Sequence, residues 1–336
     1  MNSTALIIDN LEITWSAILI AFTIPAWFFY ALSLYTTREG GKRTLSLFVF
    51  LPFGVLFSFL FCRILYWYSH QSRFENLWAA ITTKDLDTFS ILGIIPGILL
   101  ACVLVHLIKL NKNVPEMLDA LAPGTAFGIG FLYLTCRYHQ SCLGRMLITN
   151  ENLINLPIVS KAITSQGETE YRLAIYFFGF LAFFLIGILT TIFYLIHKTK
   201  KGCTACAFLL LFSSAELVLE SARYDAGYLP FNGFVSIIQI FAAIFLVAVL
   251  VYFLIRAIKR KGFKVGLVFL VVAELASLGS TGYLEYLVQR HGDKAVIIHL
   301  GMVLTCILLS IFPLILFQLG NKKKPHKVKK ASSKSK

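Results

Sequence analysis

Charge is what this sequence has least of. Charged residues make up 14% of the chain, and acids are the rarer kind, 17 Asp and Glu against 31 Lys and Arg. A water-soluble domain is about 45–50% apolar; here the hydrophobic share is 57% and the mean hydropathy +0.76. That balance excludes a soluble enzyme and leaves a polytopic membrane protein, with one bundle filling the 336 residues. Cysteine is the second shortage. Most of the seven sit in apolar spans, where a thiol is a small hydrophobe, which excludes a disulfide framework. Cys203-x-x-Cys206 has no second pair or nearby histidine, so no metal site is expected. Cys136 and Cys142 lie near the outer face, and the sequence leaves their pairing open. The first apolar run lacks a basic lead-in and a small-residue cleavage site, so no cleavable signal peptide is expected. No clear inverted repeat or pair of broken helices appears, which leaves a transporter with little support.

What is present is a series of long apolar runs. They predict an all-α helix bundle with about nine crossings, near Ile13–Tyr35, Thr44–Tyr68, Phe89–Ile108, Ala120–Cys136, Tyr171–Ile196, Thr204–Ala222, Phe234–Ile255, Val265–Leu287 and Val296–Leu319. The fourth is the least apolar, and a re-entrant segment is its alternative. Twenty-one of the Lys and Arg fall on one side of this arrangement, including Arg256–Lys264 and the tail after Gly320. The positive-inside rule puts that side in the cytoplasm, the N-terminus outside and the C-terminus inside. The net charge of +14 then belongs to topology and a lipid-facing basic tail, and no nucleic-acid partner is expected. Two outer loops, Ser69–Thr88 and Arg137–Glu170, are long enough to cap the bundle mouth.

Ionisable groups inside spans cost around 2.5–3.5 kcal/mol near the centre on insertion scales. Arg63 is one such group. Glu216, Glu220 and Arg223 follow i, i+4, i+7 spacing and share a helix face, with Glu220 and Arg223 close enough to pair. Gln239, three residues after Ser236, returns from the same side. The stretch PEMLDALAPGTAFGIGFLYLTCRYHQSCLGR (115–145) is the expected centre of function: Pro123, Gly124, Gly128 and Gly130 loosen its helix before a polar run with Arg137, His139, Gln140, Ser141 and Arg145. By depth, Arg63, Arg137, Arg145 and Arg223 meet at the outer headgroup boundary. Guanidinium groups bind two oxygens at once, so a cluster of them suits the phosphate of an anionic phospholipid. Residue by residue the alternative is plain: arginines that snorkel to the interface, and a structural Glu220–Arg223 pair.

These residues resemble the prolipoprotein diacylglyceryl transferase family of bacterial inner membranes. Asp119, Ala122-Pro123, Phe127-Gly128 and Gly130 are similar to its D-x-x-A-P-x-x-x-F-G-x-G segment. YLTCRYHQSCLGR keeps Cys136, Cys142, Gly144 and Arg145 of its signature, Arg63 matches G-R-[LI]-x-Y, Glu220 and Arg223 match [IV]-x-E-x-x-R-x-[DP], and Ser236 and Gln239 match S-x-x-Q. The resemblance spans about Thr44–Ile255. It implies a bundle over 1–256, a two-helix extension over 257–320 and a basic cytoplasmic tail over 321–336, in a multi-pass protein of the bacterial plasma membrane. It also implies a cofactor-free reaction in which phosphatidylglycerol donates its diacylglyceryl group to the lipobox cysteine thiol behind a prolipoprotein signal peptide. Carried over, Arg63, Arg145 and Arg223 hold the lipid phosphate and Glu220 orients Arg223, while Arg137 joins the phosphate cluster by its depth. His139 is not a family residue at its position and is the candidate to replace the missing histidine base, with Tyr133, Glu216 and Gln239 in support. The sequence departs from the family at Leu92-Gly93, where a histidine–glycine pair belongs, and at Tyr133 and Glu216, where arginines belong. A catalytically degenerate relative that binds phospholipid or a partner protein is the second reading.

Overall fold

A computed structural model describes residues 4–8, 11–39, 44–83, 88–111, 113–139, 141–163, 166–197, 201–227, 233, 235–262, 264–290 and 295–321. Asp9, Gln140, His291 and the tail beyond 321 lie outside the described residues. A hairpin of β1 (Thr4–Ile8) and β2 (Leu11–Thr14) leads into α1 (Trp15–Glu39) and α2 (Thr44–Ser69). Then come α3 (Leu77–Thr82), α4 (Ile94–Leu107), α5 (Val114–His139), β3 (Leu143–Leu147), α6 (Glu151–Ile154), β4 (Val159–Ile163) and β5 (Thr169–Ala174). The chain continues through α7 (Ile175–Ile196), α8 (Cys203–Ala222), α9 (Ile237–Lys261), α10 (Val265–Arg290) and α11 (Ala295–Asn321).

Eight of these helices are long and apolar enough to cross a membrane. The ninth expected crossing is the shorter apolar helix Ile91–Leu107, which is α4 with the 3-10 turn before it. The protein is thus an all-α polytopic membrane bundle, and the small strands lie outside its spans.

Its centre is α5, and here the expected interruption is corrected: the helix runs unbroken through Pro123 and Gly124. Pro123 cannot donate to the carbonyl one turn back, yet Ala120 through Ala126 are all buried, so neighbouring helices hold the backbone in place. Trp27 of α1 donates its ring N–H to Thr125 Oγ1 across 3.2 Å beside Gly124, whose missing Cβ leaves room for that indole. At the basic end, Asp119 accepts from the backbone N–H groups of Gly202 (2.7 Å) and Ala205 (2.9 Å). A carboxylate on two otherwise unpaired donors caps α8 and fixes its axis against α5.

A second correction concerns the fifth crossing. It was expected from Tyr171, but residues 171–174 belong to β5, the middle strand of an antiparallel sheet in the order β3–β5–β4. This sheet draws β3 and β4 from within the expected outer loop and β5 from its end, and it sits at the end of the bundle away from the basic link before α10. An isolated bridge between Gly144 and Arg223 stitches the sheet to the end of α8. The polar residues expected in the outer loops are therefore held against the helix mouths.

Candidate active site

A cavity of about 450 Å³ opens between α1, α2, α4, α5 and α8. Its deep part is apolar, with Ile20 and Trp27 of α1, Val55 and Phe59 of α2 and Ile98 of α4. Its other part is polar, lined by His70, Arg73, Tyr133, His139, Glu216, Glu220, Arg223 and Asp225. A hydrophobic sleeve with an ionic mouth is the shape of an amphiphile.

The sequence-predicted residues divide into two groups. Tyr133, His139, Glu216, Glu220 and Arg223 line the cavity together. Arg63, Arg137, Arg145 and Gln239 do not. Arg63 is 2% exposed and donates to the carbonyls of Thr83 (3.0 Å) and Thr88 (3.3 Å) and to the Thr88 hydroxyl. Its guanidinium stands 4.2 Å from the Phe89 ring centroid. It anchors the segment entering α4, just behind wall residues Cys62 and Phe89. Arg145 donates Nε–H to the Arg223 carbonyl at 2.9 Å, so it braces the loop that carries Arg223. Arg137 is exposed in the last turn of α5. Gln239 closes a capping box with Ser236 at the start of α9 and donates to Glu285 of α10 at 3.0 Å.

Within the mouth, Arg223 is held from two sides. Its Nε and Nη2 donate to the two oxygens of Asp225, each at 3.1 Å, and its Nη1 donates to Glu220 at 3.1 Å. Burial alone raises the Asp225 pKa, but the Arg223 charge and hydrogen bonds outweigh it and hold this carboxyl below its ordinary range. The Cys142 backbone N–H adds a further bond to Asp225 at 3.2 Å. Deeper in, the Tyr133 hydroxyl donates between both oxygens of Glu216, at 3.0 and 3.1 Å. Tyr133 fits because Gly179 of α7 lies beneath its ring: a Cβ there would come within 2.5 Å. Among the described residues His139 Nε2 is buried without a hydrogen-bond partner.

A family model for prolipoprotein diacylglyceryl transferase matches residues 3–256. The chain belongs to that family. No curated protein matches it. Family membership makes the departures instructive. Tyr133 and Glu216, the two positions at which the resemblance expects arginines, hydrogen-bond to each other here. Leu92 replaces the expected histidine in the cavity wall, while Gly93 is required by packing: its Cβ would fall 2.3 Å from the Cys62 backbone nitrogen.

Sequence reasoning missed His70 and Arg73. The His70 ring stacks on Tyr66 at 4.3 Å, with Nδ1 2.8 Å from Ser69 Oγ and 3.2 Å from the Tyr66 carbonyl. Arg73 donates to the Tyr66 hydroxyl at 2.7 Å. The available signal was a histidine and an arginine three apart directly after a span carrying Arg63. The aromatic belt around them drew the reading toward the lipid interface instead.

Proposed function

We propose that this family member, in the bacterial plasma membrane, transfers the diacylglyceryl group of phosphatidylglycerol to the lipobox thiol of a prolipoprotein. The two-part cavity carries the reading. Acyl chains occupy the apolar depth between α1, α2 and α4, and the headgroup sits at the mouth between Arg73 and Arg223. Glu220 and Asp225 fix Arg223 so that its remaining N–H positions meet a phosphate oxygen without rearrangement. Arg145 and Arg63 act at one remove, by holding the Arg223 loop and the α4 entrance. The thiol sulfur attacks the glyceryl carbon bonded to the phosphate oxygen. The S–C bond forms as C–O breaks, glycerol phosphate leaves with the electron pair, and the thiol proton passes to His139.

The test mixes the purified chain with radiolabelled phosphatidylglycerol and a lipobox peptide. Wild type is expected to label the peptide, and Arg223→Ala to lose about 10²-fold or more of that rate. Wild-type protein that retains the lipid without labelling any peptide establishes the second reading, a non-catalytic lipid binder. That reading draws on Arg223 being already bound by two carboxylates and on Leu92 in place of a histidine.

A further inference from the structure

The two cysteines left open by the sequence meet at the rim of the cavity. Cys136 lies in the last turn of α5 and Cys142 just before β3, and their sulfurs are 3.0 Å apart. The approach is built by the backbone. Ser141 N–H donates to the Cys136 carbonyl at 3.2 Å, folding the chain back over the helix end. Cys142 then takes φ +54, a left-handed conformation that a residue with a Cβ adopts only when its surroundings fix it. Those surroundings are the Cys142 N–H on Asp225, and the Cys142 carbonyl accepting from Tyr176 N–H at 3.2 Å. Both side chains line the cavity, Cys136 half-buried and Cys142 buried, so the cavity gives a small reagent its path to the pair. The other five cysteines lie within helices.

We infer that Cys136 and Cys142 are a modification site: a vicinal dithiol that closes to an intrachain disulfide on exchange with a small disulfide. A disulfide bond is about 2.05 Å long, so the sulfurs need to approach by only about 1 Å. The more accessible Cys136 thiolate attacks the reagent R–S–S–R, forming Cys136–S–S–R and expelling one RS⁻. Cys142 thiolate then attacks the Cys136 sulfur, forming the intrachain bond and expelling the second RS⁻. The two thiol protons leave with the two RSH, and the reagent is reduced as the protein is oxidised. Closure ties the end of α5 to Cys142, whose N–H donates to Asp225, and so to the start of β3, where the Leu143 carbonyl accepts from Tyr224 N–H at 2.8 Å. The bond would thus fix the loop carrying Arg223, and it would do so whether or not the chain transfers lipid.

The experiment uses the full chain in detergent, reduced, freed of reductant, and exposed to oxidised glutathione. The expected product is a monomer lighter by about 2 Da, the mass of two hydrogens, that digestion resolves into a peptide pair linked through Cys136 and Cys142. Cys142→Ser is expected to stop at a glutathione adduct on Cys136. Cys136→Ser is expected to leave Cys142 unmodified. Recovery of both wild-type thiols in the free, alkylatable form overturns the inference, and so does a stable glutathione adduct on wild-type Cys136 or a link between two chains. The wild-type measurement needs no variant to fold.

Discussion

At the scale of single residues, the Tyr133–Glu216 contact is the most exposed to test, because both partners are buried in a membrane helix pair. Removing the hydroxyl with Tyr133→Phe leaves a buried carboxyl without its donor and is expected to cost about 1–3 kcal/mol. Glu216→Gln keeps an acceptor and is expected to cost less. Combined with Tyr133→Phe it should add little, and a thermal-denaturation double-mutant cycle in detergent reads the coupling. His70 gives a pH prediction. Burial first, then the charges of Arg73 and Arg223, outweigh the Tyr66 carbonyl and Asp225 and hold its pKa below the ordinary 6.5. The unfolded chain therefore takes up this proton first as the pH falls. The stability His70 contributes is complete above 6.5 and is lost as the pH falls through its lower folded value. Melting temperature should decline as the pH falls below 6.5, and His70→Gln should flatten that decline; an unchanged slope would assign the acid sensitivity elsewhere. These residues also show what was legible. Glu220 and Arg223 were readable as a pair because they stand three apart at the end of α8, although Arg223 itself lies just past the helix in extended backbone. Arg63 was placed by depth alone, and depth does not say which way a side chain turns. It turns toward Thr83 and Thr88.

At the scale of elements, apolar length was enough to find every long helix, because a bilayer imposes one thickness on all of them. What length does not report is where a helix gives way to another backbone. Residues 171–174 run directly into the apolar stretch of α7, yet pairing with β3 and β4 makes them strand. Pro123 and Gly124 read locally as a break, and only the packing of α1, α7 and α8 around α5 reveals a continuous helix. The α2–α4 contact is the corresponding case for glycine. Gly93 and Gly97 lie one turn apart, and a Cβ on Gly97 would stand 2.4 Å from the Ser58 backbone. Small residues at this spacing let two membrane helices touch backbone to backbone. Gly97→Ala must therefore separate α4 from α2. A loss of about 1–3 kcal/mol is expected, read as a lower melting temperature in detergent. Gly266→Ala, at a position where an added Cβ meets nothing, is the control expected to leave stability unchanged.

At the scale of the whole molecule, α10 and α11 lie beyond the residues the family model matches, yet they are joined to the family bundle by buried polar bonds. Ser310 donates to Ser214 at 3.0 Å, Ser221 Oγ lies 3.3 Å from His299 Nε2, and Gln239 reaches Glu285. Helix α8 thus carries Glu216 and Glu220 toward the cavity and Ser214 and Ser221 toward α11. In lipid, apolar contact supplies no net drive between helices, since acyl tails are equally apolar; close packing and interhelical hydrogen bonds hold them, at roughly 0.6 kcal/mol on average and up to about 1.7 per bond. Two of these bonds tie α8 to α11 and the third ties α9 to α10, so the extension supplies a substantial share of what orients α8 and its neighbour α9. Glu285→Leu would leave Gln239 Nε2 with only the Leu217 carbonyl, 3.4 Å away. It is expected to lower the melting temperature, and Glu285→Gln to restore most of it. Ending the chain at Lys264 removes no residue that lines the cavity, whose last wall residue in the chain is Ile238. Even so, the truncated protein should lose stability and lipid retention together, because Ser214 and Ser221 would face acyl chains without their α11 partners and Gln239 without Glu285. A truncated chain that melts and retains phosphatidylglycerol like the full one would show that α8 is oriented by α5, α7 and α9 alone.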